Sequence, residues 1–514
     1  MVEPRSLKPF VGWPLVLLTI SLSLGIFMNV LDVSIANVAI PTIAGDLGIS
    51  PDQGTWVITS FSVTTAICLP LTGWLSRRFG EVKLFVWSTA LFTLFSLLCG
   101  LSSNITMLII FRVMQGAVAG PMIPLSQSLL LSNYPDEKKG FATALWAMTA
   151  VVAPICGPIV GGWLTDNYAW PWIFYINVPV GIFCVIVTAI MLQGRDTPTV
   201  KSRIDIVGIV LLTIGVGSLQ VILDQGHDLD WFNSTLIVTL SVISFVSLIF
   251  LVAWELTDDA PIIDLTLFKG RNFAIGVIAL SLGFLIYFGN VIIFPLWLQT
   301  QMGYTPTWAG LAAAPVGLFP FLFSPVIGLI INRVDLRFLI SFGFLAFAVS
   351  SFWSASFNTD VSYGQLVMPR LLQGVGIACF FTPLITIIIS GLPGHRIASA
   401  LGLSNFFRIL GGSFGTSISV TLWDNREAVH HSQLVEQIND YSPQAVDTLQ
   451  KLHAQGLSDL QSYQYLTRLV TNQAYMLSTN DLFWIVGCIF IGLMGIIWFT
   501  KPPFASMKKA PVMD

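Results

Sequence analysis

Apolar segments long enough to cross a membrane recur along the whole of this 514-residue chain. A membrane-spanning helix needs about 20 predominantly apolar residues. Fourteen segments meet that criterion, at 14–37, 54–75, 83–102, 105–131, 142–164, 173–192, 204–223, 235–256, 273–299, 308–331, 336–356, 364–390, 399–423 and 481–500. Only 10% of the residues are charged, whereas soluble domains carry about 25%. The chain is therefore predicted to be an all-α integral membrane protein.

Lysine and arginine orient these segments, because both residues accumulate in short cytoplasmic loops. Of the 24 in the chain, three lie inside spans and three in the long segment 424–480. The other 18 share one side when the N-terminus is placed inside: Arg5, Lys8, Arg77, Arg78, Lys83, Lys138, Lys139, Arg195, Lys201, Arg203, Lys269, Arg271, Arg333, Arg337, Arg396, Lys501, Lys508 and Lys509. No short outer loop contains either residue. We therefore expect both termini to be cytoplasmic.

The positions of cysteine and histidine argue against a metal or redox enzyme. The six cysteines lie in apolar segments without a CxxC pair, which is typical of core residues. The five histidines lie in predicted loops, whereas a membrane haem or metal enzyme needs histidines inside its helices. The chain has no GxxxxGK(S/T) sequence for ATP hydrolysis. We expect no metal site and no enzymatic activity.

The chain resembles itself at a shift of 258 residues, where RVMQGAVAG from Arg112 matches RLLQGVGIA from Arg370. Three identical pairs share the shift: Pro135 and Pro393, Ala142 and Ala400, and Gly157 and Gly415. The shift covers eight spans, an even number, so the two copies have the same orientation. This pattern predicts two parallel six-helix bundles, spans 1–6 and 9–14, with spans 7 and 8 inserted between them.

The predicted domains are an N-terminal bundle at 1–192, two linker helices with flanking loops at 193–272, and a C-terminal bundle at 273–514. Parallel bundles are a transporter architecture, with the substrate held at their interface. The C-terminal bundle includes the polar segment 424–480, predicted to lie outside the membrane. Its stretches SQLVEQI and LQKLHAQGL fit short amphipathic helices. The segment is either a solvated loop or a docking surface for an extracytoplasmic partner.

The first span contains one carboxylate, Asp32, within NVLDVSIANVAIP. Asp32 lies nine residues before Pro41, the predicted outer end, and therefore about 13 Å deep. Arg112 lies eight residues after Asn104, where span 4 enters from the same side, and therefore about 12 Å deep. Charges at matching depth are able to pair. The pair is either a fixed salt bridge or a proton carrier in which the proton affinity of Asp32 depends on the conformation. The second alternative is favoured, because ionisable residues inside the membrane are usually functional.

Arg370 repeats Arg112, but no acid is expected opposite it. Aligning FMNV with FGNV puts Ile293 at the position of Asp32, so proton coupling is expected in the first half. Arg370 and Arg408 are candidates for attracting an anionic or weakly acidic substrate, although backbone carbonyls and polar neighbours would equally satisfy them. Further candidates for the cavity are Asn37, Gln115 and Gln373.

Span 5 contains APICGPIVGG, from Ala153 to Gly162. Small residues at this spacing let helix backbones approach closely, and Pro154 and Pro158 make the helix easy to kink. We expect a tight, sliding contact between the two halves here.

Several of these stretches resemble known motifs. LDVSIANVAIP, RVMQGAVAG and GPIVGG are similar to the helix 1, helix 4 and antiporter motifs of the major facilitator superfamily, in its 14-span drug:proton antiporter branch. GTWVITSF, AGPMIPLSQSLLL, WIFYINVPVG, GLSNFFR and WFTKPPF resemble EmrB-type multidrug exporters, and the likeness covers essentially the whole chain. It implies a major-facilitator fold and proton-driven export of hydrophobic and weakly acidic compounds from the inner membrane of a Gram-negative cell. It also implies a periplasmic EmrA-type adaptor and an outer-membrane TolC-type channel.

The resemblance assigns roles by position. The proton-coupling residues fall on Asp32 and Arg112. The conformational motifs fall on Gly116, Gly120, Gly157, Pro158, Gly161 and Gly162. One motif departs from the family pattern, since GWLSRRFG carries Arg77 where the loop between helices 2 and 3 usually has an aspartate. A gating bridge built on that aspartate is therefore not expected in its usual form.

The leading hypothesis is a secondary active transporter, a proton/drug antiporter that needs no cofactor beyond the proton gradient. Its partners would be small hydrophobic drugs and membrane lipid, with no nucleic acid. An alternative is a dedicated exporter of one native metabolite, such as a fatty acid or a siderophore-like acid. A less favoured alternative is a membrane sensor that uses 424–480 as its ligand domain.

Overall fold

The computed structural model describes residues 10–49, 51–135, 138–200, 205–258, 261–331, 333–438 and 442–504. These ranges fold into α-helices joined by short loops and contain no strand. The helices are α1 Trp13–Leu47, α2 Pro51–Phe79, α3 Glu81–Gly100, α4 Ile105–Asn133, α5 Lys139–Asn167, α6 Trp172–Tyr175, α7 Asn177–Met191, α8 Ile206–Gln225, α9 Thr235–Thr257, α10 Arg271–Thr300, α11 Pro306–Ala313, α12 Leu318–Ile330, α13 Leu336–Ser354, α14 Tyr363–Ile389, α15 Gly394–Glu436, α16 Pro443–Ala454 and α17 Asp459–Ile497.

Every predicted span falls on a described helix or on two helices in succession. The sixth span is α6 with α7, and the tenth is α11 with α12, joined by a 3-10 turn at Ala314–Gly317. Within the described ranges, twelve helices are long and apolar enough to cross a membrane, and the bent α5 makes a thirteenth. The remaining span is α15, which is more polar. Its small and polar residues pack against neighbouring helices, so it needs less lipid-facing apolar surface.

The helices pack in two groups with the same internal pattern. In the first, α1 contacts α4, α5 and α7, and α4 contacts α2 and α3. In the second, α10 contacts α14, α15 and α17, and α14 contacts α12 and α13. Between the groups, α5 packs on α12 and α2 packs on α15, which is the same contact made twice under the repeat. The two-bundle architecture is therefore confirmed, with the inserted α8 packed on α9, α2 and α15.

The helix ends follow ordinary capping chemistry. The side chain of Asn104 accepts from the backbone amide of Met107 at 2.9 Å at the start of α4. Ser362 and Ser458 form capping boxes at the starts of α14 and α17. A side-chain oxygen at this position satisfies an amide that has no partner inside the helix. These caps fix where α4, α14 and α17 begin.

One side of the molecule, which we call the basic face, carries the loops and helix ends that contain most of the lysines and arginines, among them Arg77, Arg271 and Arg396. Segments far apart in the chain contact each other on this face. Phe10 lies against Asn133 there, and Arg271 Nε donates to the Phe499 carbonyl at 2.6 Å. Of the basic residues expected on this side, six lie outside the described residues: Arg5, Lys8, Lys201, Arg203, Lys508 and Lys509.

The opposite side carries residues 424–480, which we call the hairpin. It is mostly helical, and the two stretches expected to form short helices, SQLVEQI and LQKLHAQGL, fall on the end of α15 and on α16. The helix α15 continues to Glu436, α16 covers Pro443–Ala454, and α17 already begins at Asp459. Arg426 and His430 of α15 both contact Asp481 of α17, at 2.5 and 2.7 Å. The hairpin is therefore built from extensions of two spans and is tied at its base by the contacts of Arg426 and His430 with Asp481.

Candidate functional site

Asp32 of α1 and Arg112 of α4 form a buried ion pair, as their predicted depths indicate. Arg112 Nη1 contacts Asp32 Oδ2, and the two residues are 0% and 2% exposed. Arg112 Nη1 also donates to Gln115 Oε1 at 2.9 Å, and Nε donates to the Val57 carbonyl at 2.9 Å. The guanidinium lies over the ring of Phe61, 4.3 Å from its centroid. The pair forms although α1 extends to Leu47, beyond the predicted end at Pro41.

The second oxygen of Asp32 is held by neutral donors. Asn177 Nδ2 donates to Oδ1 at 2.8 Å and Gln115 Nε2 donates to it at 3.2 Å. Asn177 begins α7 and also contacts Ser96 of α3 at 3.0 Å. Side chains of α4 and α7 therefore meet at the carboxylate of α1, and Ser96 of α3 contacts it through Asn177. A movement of α1, α4 or α7 therefore changes the hydrogen bonds that Asp32 accepts.

Asn177 was not identified from the sequence. It lies in YINVPVG, where a single amide interrupts an apolar run that extends to Met191. That isolated amide was the available signal, since a polar group inside a membrane helix normally needs a polar partner. Its partner is the same carboxylate that the sequence marks as the coupling residue.

The second bundle contains a copy of this site in which an amide replaces the acid. Arg370 Nη1 donates to Asn290 Oδ1 at 2.7 Å and to Gln373 Oε1 at 2.9 Å, while Nη2 donates to Ser354 Oγ at 2.8 Å. Arg370 and Asn290 are 80 residues apart, the same separation as Arg112 and Asp32. The guanidinium again lies over a phenylalanine ring, 4.2 Å from the centroid of Phe294.

The prediction that Ile293 occupies the position of Asp32 is wrong. Asn290 occupies it, while Ile293 lies three residues further along α10, in an apolar cluster with Trp297. The alignment of FMNV with FGNV gave the wrong residue because it departs from the shift of 258 that relates the other repeated residues. That shift places Asp32 on Asn290. The functional expectation is unaffected, since neither asparagine nor arginine exchanges a proton in the physiological range.

Replacing Asn290 by leucine is expected to lower the free energy of unfolding by about 1–3 kcal/mol, because a buried donor of Arg370 loses its acceptor. Thermal unfolding of the purified protein in detergent measures this loss. Ile293→Leu is the matched control and is expected to cost less than about 1.5 kcal/mol. A greater loss in the control than in Asn290→Leu would contradict the assignment of Asn290.

The other predicted cavity residues are not gathered in one place. Gln115 belongs to the Asp32 network, and Gln373 to the Arg370 network. Asn37 is exposed on α1. Arg408 is buried on α15, where Nε donates to Asn405 Oδ1 at 3.1 Å. No carboxylate of the described residues forms an ion pair with Arg370 or Arg408, so each is a buried cation held by neutral groups.

The glycines of span 5 contact a different helix from the one expected. A Cβ added to Gly157 would overlap Ser34 of α1, and Gly161 lies against Ile35 of the same helix. Gly162 has no such neighbour, and the side chain of Pro158 is outside the described part. The predicted contact between halves is therefore wrong for these residues, because both glycines serve the α1–α5 crossing inside the first bundle.

The helix 4 glycines lie at a second close crossing. A Cβ on Gly116 would overlap the Phe61 carbonyl oxygen of α2, and one on Gly120 would lie 3.0 Å from the Thr65 carbonyl oxygen. Both glycines therefore hold α4 against α2. Phe61 also faces Arg112, so this crossing positions the ion pair.

The two halves meet at the basic face. A Cβ on Gly73 of α2 would lie 2.8 Å from Ser399 Cα of α15. Arg77 Nη1 donates to Ser399 Oγ at 3.2 Å. Arg396 pairs with Asp264 at 2.6 Å, and Arg77 is within electrostatic range of both residues. The acid missing from the helix 2–3 motif is thus supplied by Asp264, from the segment that follows α9.

Asp264→Asn is expected to loosen this contact, because two arginines on opposite halves then face each other without an acid. A pair exposed to this degree contributes up to about 1 kcal/mol, equivalent to about fivefold in an opening equilibrium. Maleimide labelling of Thr72→Cys on α2, in a background free of other cysteines, measures the opening. The control is Asp335→Asn, whose acid pairs with Arg337 two residues away. Equal labelling in both variants would contradict a role for Asp264.

Comparison with known proteins agrees with this geometry. Residues 22–416 match the Major Facilitator Superfamily. The chain is 54% identical over 500 residues to the multidrug export protein EmrB of Escherichia coli K12, covering 97% of this chain and 98% of that protein. It is 49% identical over 498 residues to the fatty acid resistance protein FarB of Neisseria gonorrhoeae, covering 97% and 98%.

A solved structure shares the fold at low identity. The proton:xylose symporter XylE superposes with a TM-score of 0.60 at 14% identity, covering 94% of this chain and 95% of that one. The matched region includes the α1, α4, α10 and α14 segments that carry both arginine sites. This multi-pass membrane protein, a transporter and not an enzyme, belongs to the Major Facilitator Superfamily.

Proposed function

We propose that this protein is a proton-driven exporter of many hydrophobic and weakly acidic compounds. Similarity to multidrug export proteins over nearly the full length supports the multidrug character. The observation that carries proton coupling is Asp32, a buried carboxylate whose three partners come from two other helices, α4 and α7. The mirror site around Arg370 has an amide at this position, so the exchangeable proton belongs to the first bundle.

The geometry suggests how the proton is used. Protonation of Asp32 from outside removes the charge that holds Arg112 Nη1 and changes the hydrogen bonds of Gln115 and Asn177. The contacts among α1, α4 and α7 weaken together, which permits rocking towards the state open to the cytoplasm. Substrate then binds between the halves, and loss of the proton to the cytoplasm restores the pair. The stored proton gradient thereby drives the substrate outwards.

The test of this proposal is transport by the purified protein in liposomes at zero membrane potential. A proton gradient is imposed, and accumulation of a panel of radiolabelled hydrophobic drugs and fatty acids is measured. The proposal expects several chemically different compounds to accumulate, and a protonophore to abolish accumulation. Accumulation unaffected by the protonophore would overturn proton coupling.

A second candidate is a dedicated exporter of one organic acid. The similarity to FarB favours it, and so does the buried Arg408, which has no carboxylate partner among the described residues and is suited to an anionic group. The same drug panel separates the two. A single carboxylic acid accumulating, with no neutral drug transported, supports the dedicated exporter.

We further propose an inner-membrane location with cytoplasmic termini, so that the hairpin lies in the periplasm and contacts an EmrA-type adaptor that leads to a TolC-type channel. The hairpin exposes apolar side chains outside the spans: Val429, Val435, Leu460, Tyr463, Tyr465 and Leu469. Exposed apolar side chains of this kind are suited to a protein partner. A ligand-sensing domain is disfavoured, since the hairpin is made of extensions of α15 and α17.

Replacing residues 431–470, which carry five of these six side chains, by a glycine–serine linker is expected to leave transport in liposomes unchanged and to abolish drug resistance of cells that contain the adaptor. The reason is that Arg426, His430 and Asp481 still close the base of the hairpin. The two assays are drug accumulation in liposomes and growth on drug plates. Full resistance of cells with the shortened hairpin would contradict the docking role.

A further inference from the structure

The end of α8 nearest the hairpin face carries a polar cluster that the proposed mechanism does not use. Gln220, Asp224 and Gln225 lie in its last two turns. Gln220 Nε2 donates to Asp224 Oδ1 at 2.9 Å and to Ser413 Oγ of α15 at 3.0 Å. Gln225 Nε2 contacts Thr55 Oγ1 of α2 at 3.3 Å. The inserted helix is therefore tied to both bundles through this cluster.

Asp224 is a second membrane-embedded acid, and no cation of the described residues forms an ion pair with it. Its Oδ2 is buried and accepts no hydrogen bond, although the hydroxyl of Thr59 lies beside the carboxylate. The Oε1 atom of Gln220 is a second buried acceptor without a donor. An ionised carboxylate in such a place lacks the compensation that a buried charge needs. A proton on Asp224 removes the charge and converts one unpaired acceptor into a donor.

The charged groups near Asp224 do not provide a counter-ion. Among the described side chains of α2, the cluster contacts the neutral Thr55 and Thr59. The acid of α9, Glu255, lies at the opposite end of that helix. His227, just after α8, pairs with Asp424 of α15 at 3.1 Å. Arg408 of α15 is held by Asn405 and forms no ion pair with Asp224.

The same part of α2 contacts both this cluster and the ion pair of Asp32, on opposite sides of the helix. Val57 and Phe61 of α2 contact Arg112, whereas Thr55 and Thr59 contact the α8 cluster. Residues two apart on a helix point to nearly opposite sides. The two acids therefore lie on opposite sides of the same turn of α2, which also packs on α15 of the other bundle.

We propose that Asp224 is a second proton-binding site, loaded and emptied as α2 moves against α8 and α15. This inference rests on the proposed proton-driven function and extends it to the inserted helices. Rocking of the bundles changes the distance of α2 from α15, and with it the donors that Thr59 and Gln220 present to the carboxylate. The inserted helix α8 then contributes a proton in addition to the one on Asp32.

The test uses infrared difference spectroscopy of the purified full-length protein in lipid, titrated from alkaline to acidic pH without any substrate. Protonation of a buried carboxylate produces a carboxylic C=O band. The wild type is expected to show bands from Asp32 and Asp224 beside any from the other buried acids, Glu81, Asp205 and Glu255, which every variant keeps. Asp32→Asn is expected to lose one band and Asp224→Asn another. The matched control is Asp228→Asn, an exposed acid four residues further along the chain, which keeps both bands.

A spectrum of Asp224→Asn identical to that of Asp228→Asn overturns the proposal. Should Asp224→Asn not fold, Asp224→Glu provides the second variant, and its band is expected to shift in frequency instead of disappearing. An unshifted band in Asp224→Glu also overturns the proposal. These spectra need no transport, so a wild-type protein that shows the band but is not driven by a proton gradient would refute the proposed function and leave the proton site standing.

Discussion

Asparagine in place of Asp32 is expected to abolish proton-driven export while leaving the protein folded. The mirror site shows why folding survives, since Arg370 is accommodated by Asn290 and Gln373 in the same arrangement. An asparagine at position 32 keeps an oxygen for Arg112 but has no exchangeable proton. Drug accumulation in liposomes under an imposed proton gradient should fall to the level of protein-free vesicles.

Two further variants sharpen this prediction. Asp46→Asn removes an exposed acid from the same helix and should transport like the wild type. Asp32→Leu leaves Arg112 buried without its acceptor, and should lower the free energy of unfolding by about 3–5 kcal/mol. Undiminished proton-driven export by Asp32→Asn would exclude Asp32 from the mechanism.

Alanine in place of Gly415 is expected to be among the most destabilising small substitutions in the chain. A Cβ at this position overlaps the backbone carbonyl oxygen of Leu285 on α10. A backbone atom does not give way by a change of rotamer, so α10 and α15 must separate. Overpacking of this kind costs about 1–3 kcal/mol, and more where backbone must move. Thermal unfolding in detergent and the yield of folded protein measure the effect.

The matched control is Gly495→Ala on α17, where an added Cβ has no neighbour within 4 Å. That change should be neutral or stabilising by up to about 1 kcal/mol, because alanine favours helix over glycine. Gly157, the repeat partner of Gly415, should tolerate alanine better. The atoms nearest to its added Cβ belong to the side chain of Ser34, whereas those nearest to the Cβ on Gly415 belong to the backbone. Equal stability of the Gly415 and Gly495 variants would contradict the α10–α15 contact.

The residues that could be predicted from the sequence are those whose chemistry is conspicuous in a membrane. A lone acid and a lone base at similar depth were enough to predict the Asp32–Arg112 contact, even though α1 is longer than expected. The repeat around Arg370 was recognisable because arginine and glutamine are rare in apolar helices. The two-bundle packing followed from the same shift.

The errors have a common physical origin. The partner of a glycine-rich stretch depends on which helix lies opposite, and the sequence of span 5 contains no information on whether that is α1 or a helix of the other half. Asn177 meets Asp32 across 145 residues of sequence, a contact that only the tertiary packing of α1 and α7 produces. In the hairpin, the sequence indicated short amphipathic helices but not the extension of α15 and α17 into it, because a polar extension lacks the apolar signal by which a span is recognised.

The most direct test of the central claim is proton flux on addition of a transported drug, measured with a pH dye inside liposomes clamped at zero potential. Proton movement opposite to the drug is expected in the wild type and in Asp46→Asn, and none above background in folded Asp32→Asn. Drug-dependent proton movement of wild-type size in Asp32→Asn would contradict the central claim.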